Sequence, residues 1–163
     1  MISSDIYAST NPALCSLILW SFLSGYQEQN GKGCEYPLLY LPIPMMVSGN
    51  TRNKLQGTNI NTGLLTWVSN NPEVLIKFAE RIELAKEITE DAIIFGSANS
   101  IIDIEKESGL FRAINSGIYS TKVINTNKDK EQKEMFVFAK RFGAWCGQIH
   151  SSKIILNVLG MKL

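Results

Sequence analysis

The sequence predicts a mainly α-helical protein with one small β-hairpin, the hairpin following a helix in the manner of a winged-helix unit. Three observations carry this. Asn11-Pro12 opens a nearly continuous apolar run that includes Leu14, Leu17, Ile18, Leu19, Trp20, Phe22 and Leu23. Two later stretches, Leu75 to Phe95 and Met135 to Ile149, repeat apolar residues at three- and four-residue spacing. Between them Ile102, Asp103, Ile104 and Glu105 alternate, and Ser108-Gly109 supplies a turn before Leu110 to Ile114.

Asn11 suits a helix N-cap and Pro12 the first helical position, where a missing N–H costs nothing. The helix they start, about residues 12–27, is apolar all round and therefore predicted to be buried. Gly25, Gly31 and Gly33 mark a following loop. Pro37, Pro42 and Pro44 exclude a regular helix interior or central strand from Tyr36 to Val47. One short helix begun by Pro42 or Pro44, with an extended lead-in, is expected. Ser48 to Asn61 is polar, with Arg52 and Lys54 its only charges, and reads as a mobile loop around one turn of helix.

Asn61 or Thr62 is expected to cap a short helix holding Leu64, Leu65, Trp67 and Val68. Asn71-Pro72-Glu73 repeats the opening signal. Leu75, Phe78, Ala79, Ile82 and Ala85 then form one core face, opposite Lys77, Glu80, Arg81, Glu83 and Glu87. Ile88, Ala92, Phe95 and Ile102 extend the register in a separate helix after a bend near Lys86. Gly96 inside that helix costs roughly 1 kcal/mol relative to Ala, which predicts close packing there. After the hairpin (about 101–114) come a polar loop and a third strand from Tyr119 to Ile124.

A long helix from Lys130 to Ile149 carries the stripe Met135, Phe138, Ala139, Phe142, Trp145, Cys146 and Ile149. Its Ala139, Gly143 and Gly147 form a row of small residues that lets another helix approach. Ser151 or Ser152 caps a last helix, Lys153 to Leu159, which Gly160 ends. All of this fits one domain over residues 1–163, with a helical region at about 62–100 and C-terminal helices at about 130–159.

Hydrophobic residues make up 45% of the chain and charged ones 19%, a globular balance with modest charge. No apolar run reaches the roughly 18 residues of a membrane span, and no cleavable signal opens the chain. With three cysteines in no framework spacing, the prediction is a cytoplasmic protein. The net charge of +1 hides a split: nine acids against four bases in residues 73–107, and nine bases against three acids in residues 108–163. Such blocks either orient a subunit between partners, bring a basic face to nucleic acid, or simply solvate helix faces.

Chemistry-bearing patterns are sparse. Cys146 and His150 lie four apart, so one helical turn offers two zinc ligands or a nucleophile and base, but nothing completes either set. Gly25, Gly31, Lys32 and Gly33 do not form a phosphate loop, so no ATP site or other cofactor is expected. Glu87, Glu90 and Asp91 read as a solvated helix face. Arg112 in the hairpin and Lys122, Lys128, Lys130, Lys133, Lys140 and Arg141 suit phosphate contacts. Against a site-specific DNA reader, the helix before the hairpin is acidic.

A set of short segments in fixed order adds a family expectation. These are Asn11-Pro12-Ala13, the proline-broken Tyr36 to Val47, Thr51-Arg52 to Leu55, and Thr62-Gly63-Leu64-Leu65-Thr66-Trp67. Asn71-Pro72-Glu73, Phe78-Ala79-Glu80-Arg81, Phe95-Gly96, Lys140 to Trp145 and Leu159-Gly160-Met161-Lys162 follow. Together they resemble the middle component of bacterial three-component ABC systems, which includes the small subunit of Lamassu-type anti-phage defence. The resemblance implies a non-catalytic adaptor between an SMC- or ABC-type ATPase and an effector such as a nuclease or other toxic enzyme. DNA would then be met through the complex. Lys128, Lys130, Lys133, Lys140, Arg141 and Arg112 are the candidate partner-binding residues. The alternative is a small winged-helix-like DNA-binding regulator.

Overall fold

The computed structural model describes residues 11–115, 122 and 124–161. Its axis is helix α1, Pro12–Asn30, three residues longer than expected. The Asn11 side chain accepts from the amides of Ala13 (3.0 Å) and Leu14 (3.2 Å), and Gly31 closes the helix at φ 80°. Every residue from Leu14 to Tyr26 is buried except half-exposed Trp20. Of its three buried serines two have local partners, while the Ser24 hydroxyl has none. Ser16 and Ser21 donate to the carbonyls of Ala13 (2.7 Å) and Leu17 (2.8 Å).

Three layers of structure wrap α1. On one side lies α7 (Lys130–Gly147), whose small row meets α1 as expected: a Cβ on Gly143 or Gly147 would collide with the carbonyl oxygens of Phe22 and Tyr26. On another lies α6 (Lys86–Ala98). The third is the antiparallel hairpin β1 (Ile102–Ile104) and β2 (Phe111–Ala113), paired Ile102 to Ala113 and Ile104 to Phe111. Gln27 of α1 clamps the strand: its amide donates to the Ala113 carbonyl (3.2 Å) and its carbonyl accepts from the Ala113 amide (2.9 Å). Cys34 pairs with Phe111 on the far edge through two 2.8 Å bonds. Gly96 faces the Ile102 side chain, which stands 2.8 Å from where a Cβ would be. Close packing is therefore what that glycine permits.

Several segments differ from the sequence expectation. The lead-in to α2 (Pro42–Val47) is a 3-10 helix, Tyr36–Tyr40, not extended chain. Ser48 to Asn61 is not a free loop: it contains α3 (Gly49–Leu55), capped by Ser48, with Thr51, Arg52 and Leu55 buried. The residues after it are tied to α7, because Trp145 Nε1 donates to Asn59 (3.1 Å) and Arg141 Nη1 to Thr58 Oγ1 (3.1 Å).

Helix α4 (Leu64–Asn70) starts from Gly63 without a side-chain cap, so neither Asn61 nor Thr62 plays that role. Asn71-Pro72 begins only a 3-10 turn, Pro72–Leu75, since the Asn71 amide turns back to the Trp67 carbonyl (2.9 Å). The chain breaks at Ile76 and Lys77, the latter at φ 56°, before α5 (Phe78–Leu84). That break rotates Ala79 out of the predicted core face and leaves it exposed. Lys122 and residues 124–126 are helical where a third strand was expected, and Tyr119 lies outside the described residues. The last helix, α8 (Ser152–Val158), is capped by Ser151 and followed by Gly160 at φ 80°.

Candidate partner interface

Helix α7 sorts its charges by side. Asp129 caps it, accepting from the amides of Glu131 (2.9 Å) and Gln132 (3.1 Å). Glu131 and Glu134 are turned to Arg52 of α3, a residue that is only 5% exposed. Arg52 Nη2 meets Glu131 at 2.5 Å, its Nε lies 3.4 Å from Glu134, and its Nη1 donates to the Met46 carbonyl (2.5 Å). With both acids held there, the outer stripe of α7 at spacing three, four and three is Lys130, Lys133, Val137 and Lys140, all exposed. Lys128 is exposed just before the helix.

Of the six residues expected to bind a partner, Lys128, Lys130 and Lys133 make no ion pair among the described residues. Lys140 lies on the same stripe and meets Glu28 at 3.3 Å. Arg141 points elsewhere, into the α3 end, bonded to Leu55 (3.4 Å) and Thr58 and stacked 5.2 Å over the Phe138 ring. Arg112 is in the hairpin, engaged by Glu105, so it does not join the stripe. That carboxylate is held below its ordinary range by Arg112 first and Ser108 second.

The opposite sign collects across α1. Helix α6 packs on α1 and on the Tyr36–Tyr40 3-10 helix, and α5 packs on α6, α2 and the Pro72–Leu75 turn. Glu80, Glu83, Glu87 and Asp91 are exposed there, together with Leu84 at 82% and Ile94 at 68% exposure. Beside them lies an apolar groove of about 520 Å³ lined by Tyr36, Tyr40, Leu41, Ile82, Leu156 and Met161 among others. The hydroxyls of Tyr36 and Tyr40 are 2.5 Å apart, and Tyr40 donates to Glu90 (3.0 Å). Because a phenol carries one proton, Tyr36 must donate to Tyr40. Burial, that hydroxyl and Glu90 together push the Tyr40 phenol upward.

Sequence reasoning missed both Arg52 and this groove. For Arg52 a signal existed: it is one of only two charges in a fourteen-residue polar stretch.

The three cysteines are buried and free. Burial pushes the Cys15 thiol up to about 12 and raises those of Cys34 and Cys146, so all three pack as apolar groups at neutral pH. Helix α7 ends at Gly147, so exposed His150 does not share a helical face with Cys146. No group of three or more His, Cys, Asp or Glu is placed to hold a metal ion among the described residues. Nor is any helix among them long and apolar enough to cross a membrane.

The chain belongs to the family described as ABC-three component (ABC-3C) system Middle Component 3, whose model matches residues 1–163. The expectation of a middle component is therefore met. No curated protein and no solved structure matches.

Proposed function

We propose that this middle component is a non-catalytic, cytoplasmic adaptor that links an SMC- or ABC-type ATPase to an effector enzyme in a bacterial anti-phage defence complex. The observation that carries the proposal is the separation of sign around α1: a lysine stripe on α7 and an acidic, partly apolar surface on α5 and α6. Two unlike surfaces on one small scaffold suit two unlike partners. Nucleotide chemistry and effector chemistry then belong to the neighbouring components. Lys128, Lys130, Lys133 and Lys140 are the binding residues on the basic side. Arg141 and Arg112 act indirectly, by holding α3 and the hairpin in place.

Co-expression with the ATPase and effector components of its system tests this. A stable three-part complex, with no ATP hydrolysis by the isolated chain, is the expected result. Tight, salt-sensitive binding of the isolated chain to duplex DNA, with no association with the ATPase, would instead establish the regulator.

A further inference from the structure

We propose that the polar pocket between the end of α1, the Lys32 to Glu35 segment and the start of α8 binds a small zwitterion, a molecule carrying an ammonium and a carboxylate in the manner of a free amino acid. The pocket shares no lining residue with the lysine stripe or with the acidic surface, so this inference goes beyond the adaptor function.

Three segments tied to one another build the pocket. Gly31 ends α1 at φ 80° and turns the chain, and Cys34 is then fixed to Phe111 of β2 by two 2.8 Å backbone bonds. Lys32, Gly33 and Glu35 are thereby set as one wall. A Cβ on Gly33 would stand 2.8 Å from the Leu110 Cβ, so that wall is closed against the hairpin. Asn30 Nδ2 donates to the Gly147 carbonyl (3.3 Å), which ties the end of α1 to the turn leading into His150, Ser151 and Ser152. The space between them, about 420 Å³, falls in the range of small-molecule sites, about 300–1,000 Å³.

Its inner wall holds hydroxyls with nothing to bond. Tyr26 lines the pocket, is only 6% exposed, and makes no hydrogen bond among the described residues. Ser152 lines it too, and its hydroxyl is buried and without a partner. Buried polar groups are normally satisfied, and a ligand oxygen is the missing acceptor for both. Burial first, then the nearby Cys34, Cys146 and Glu35, push the Tyr26 phenol up to about 12, so it remains a donor at neutral pH.

The mouth carries both signs. Lys32 and Glu35 are exposed, line the same pocket and make no ion pair among the described residues. His150 stands beside them, able to donate or accept through its ring. A plain anion would meet the Glu35 carboxylate and a plain cation the Lys32 ammonium. An apolar molecule would leave both hydroxyls unsatisfied, and a polyol would leave both charges unused. A zwitterion sets its carboxylate against Lys32 and the hydroxyls and its ammonium against Glu35.

The test titrates the isotopically labelled full chain with each standard L-amino acid and follows its backbone amides by NMR. At least one amino acid should shift the amides of Gly33, Leu110 and Ser152 saturably. Its N-acetyl form, which lacks the ammonium, and its carboxamide form, which lacks the carboxylate, should each bind about tenfold more weakly or worse. Tyr26→Phe, Lys32→Ala and Glu35→Ala should each weaken binding to a similar degree. Lys32 and Glu35 are exposed, so an unchanged melting midpoint in those two variants separates lost binding from lost folding. The proposal is overturned if no amino acid gives saturable shifts at these residues, or if the blocked forms bind as well as the free one. Tighter binding of inorganic phosphate or of ribose, or full affinity in both exposed variants, overturns it equally.

Discussion

Gly143 of α7 lies against the carbonyl of Phe22 in α1, so near that a Cβ on Gly143 would overlap the Phe22 oxygen. The contact is reciprocal one turn further on, where a Cβ on Gly25 would strike the Lys140 carbonyl and come 2.9 Å from the Ala144 nitrogen. Backbone meets backbone here, and neither side can yield by rotating a side chain. The Phe22 and Phe142 rings, 5.6 Å apart, pack beside the contact.

Gly143→Ala should therefore destabilise the protein although alanine is the better helix former. The propensity gain is about 1 kcal/mol, whereas overpacking a close-packed site costs about 1–3 kcal/mol and more where backbone must shift. A net loss of about 1–2 kcal/mol or more in chemical denaturation is expected. Unchanged or increased stability would show that α1 and α7 do not approach this closely.

The small row behind this prediction was legible in the sequence because Ala139, Gly143 and Gly147 repeat at a helical period. That α1 is the helix it meets was not, since the pairing joins residues more than a hundred positions apart. Asn11 and Asp129 show how reliably a local cap can be read or missed. Asn11-Pro12 announced itself, while Asp129 caps α7 without having been singled out. Asn71-Pro72 carried the same signal as Asn11-Pro12 and yet starts a single 3-10 turn, because the Asn71 side chain bonds backward to Trp67. Arg52 was the larger omission: its isolation in a polar stretch singled it out, but its partners Glu131 and Glu134 lie 79 and 82 positions later, where local pattern does not reach. The Tyr36 groove is likewise built from three segments distant in sequence.

Arg52→Met should cost about 2–4 kcal/mol, because it strands the Met46 carbonyl and two carboxylates that a guanidinium now holds. Glu131→Gln with Glu134→Gln should cost less, since both carboxylates are about a third exposed. The order of the two denaturation midpoints checks this, and an Arg52→Met variant as stable as wild type would contradict it.

The hairpin should loosen in acid. Arg112 and Ser108 lower the Glu105 carboxyl in the folded chain, so its stabilising contribution is complete above the unfolded value, about 4.3, and is lost as pH falls through the lower folded value. Glu105→Gln should remove that dependence while leaving α1 and α7 unaffected. Amide exchange at Cys34 and Phe111, bonded to each other at the strand edge, reports the change. Equal acid sensitivity in both proteins would assign it to other carboxylates.

Assembly should depend on the α7 lysines through long-range attraction. Lys128, Lys130 and Lys133 are exposed and make no ion pair among the described residues, whereas the acids of the same helix are held by Arg52. Reversing all three to Glu turns a mainly cationic edge into an anionic one and changes little inside the fold. Denaturation should shift by no more than about 0.5 kcal/mol per site. Binding to the partner component should weaken mainly through slower association, and the difference from wild type should shrink at high salt, where the Debye length falls to about 3 Å at 1 M. Lys140→Glu should act more weakly than the other three, because Glu28 already meets that ammonium. A pull-down run beside a DNA mobility shift, each at two salt concentrations, separates the outcomes. Intact assembly together with abolished DNA binding by the isolated chain would move the lysine stripe from a protein partner to a nucleic-acid backbone.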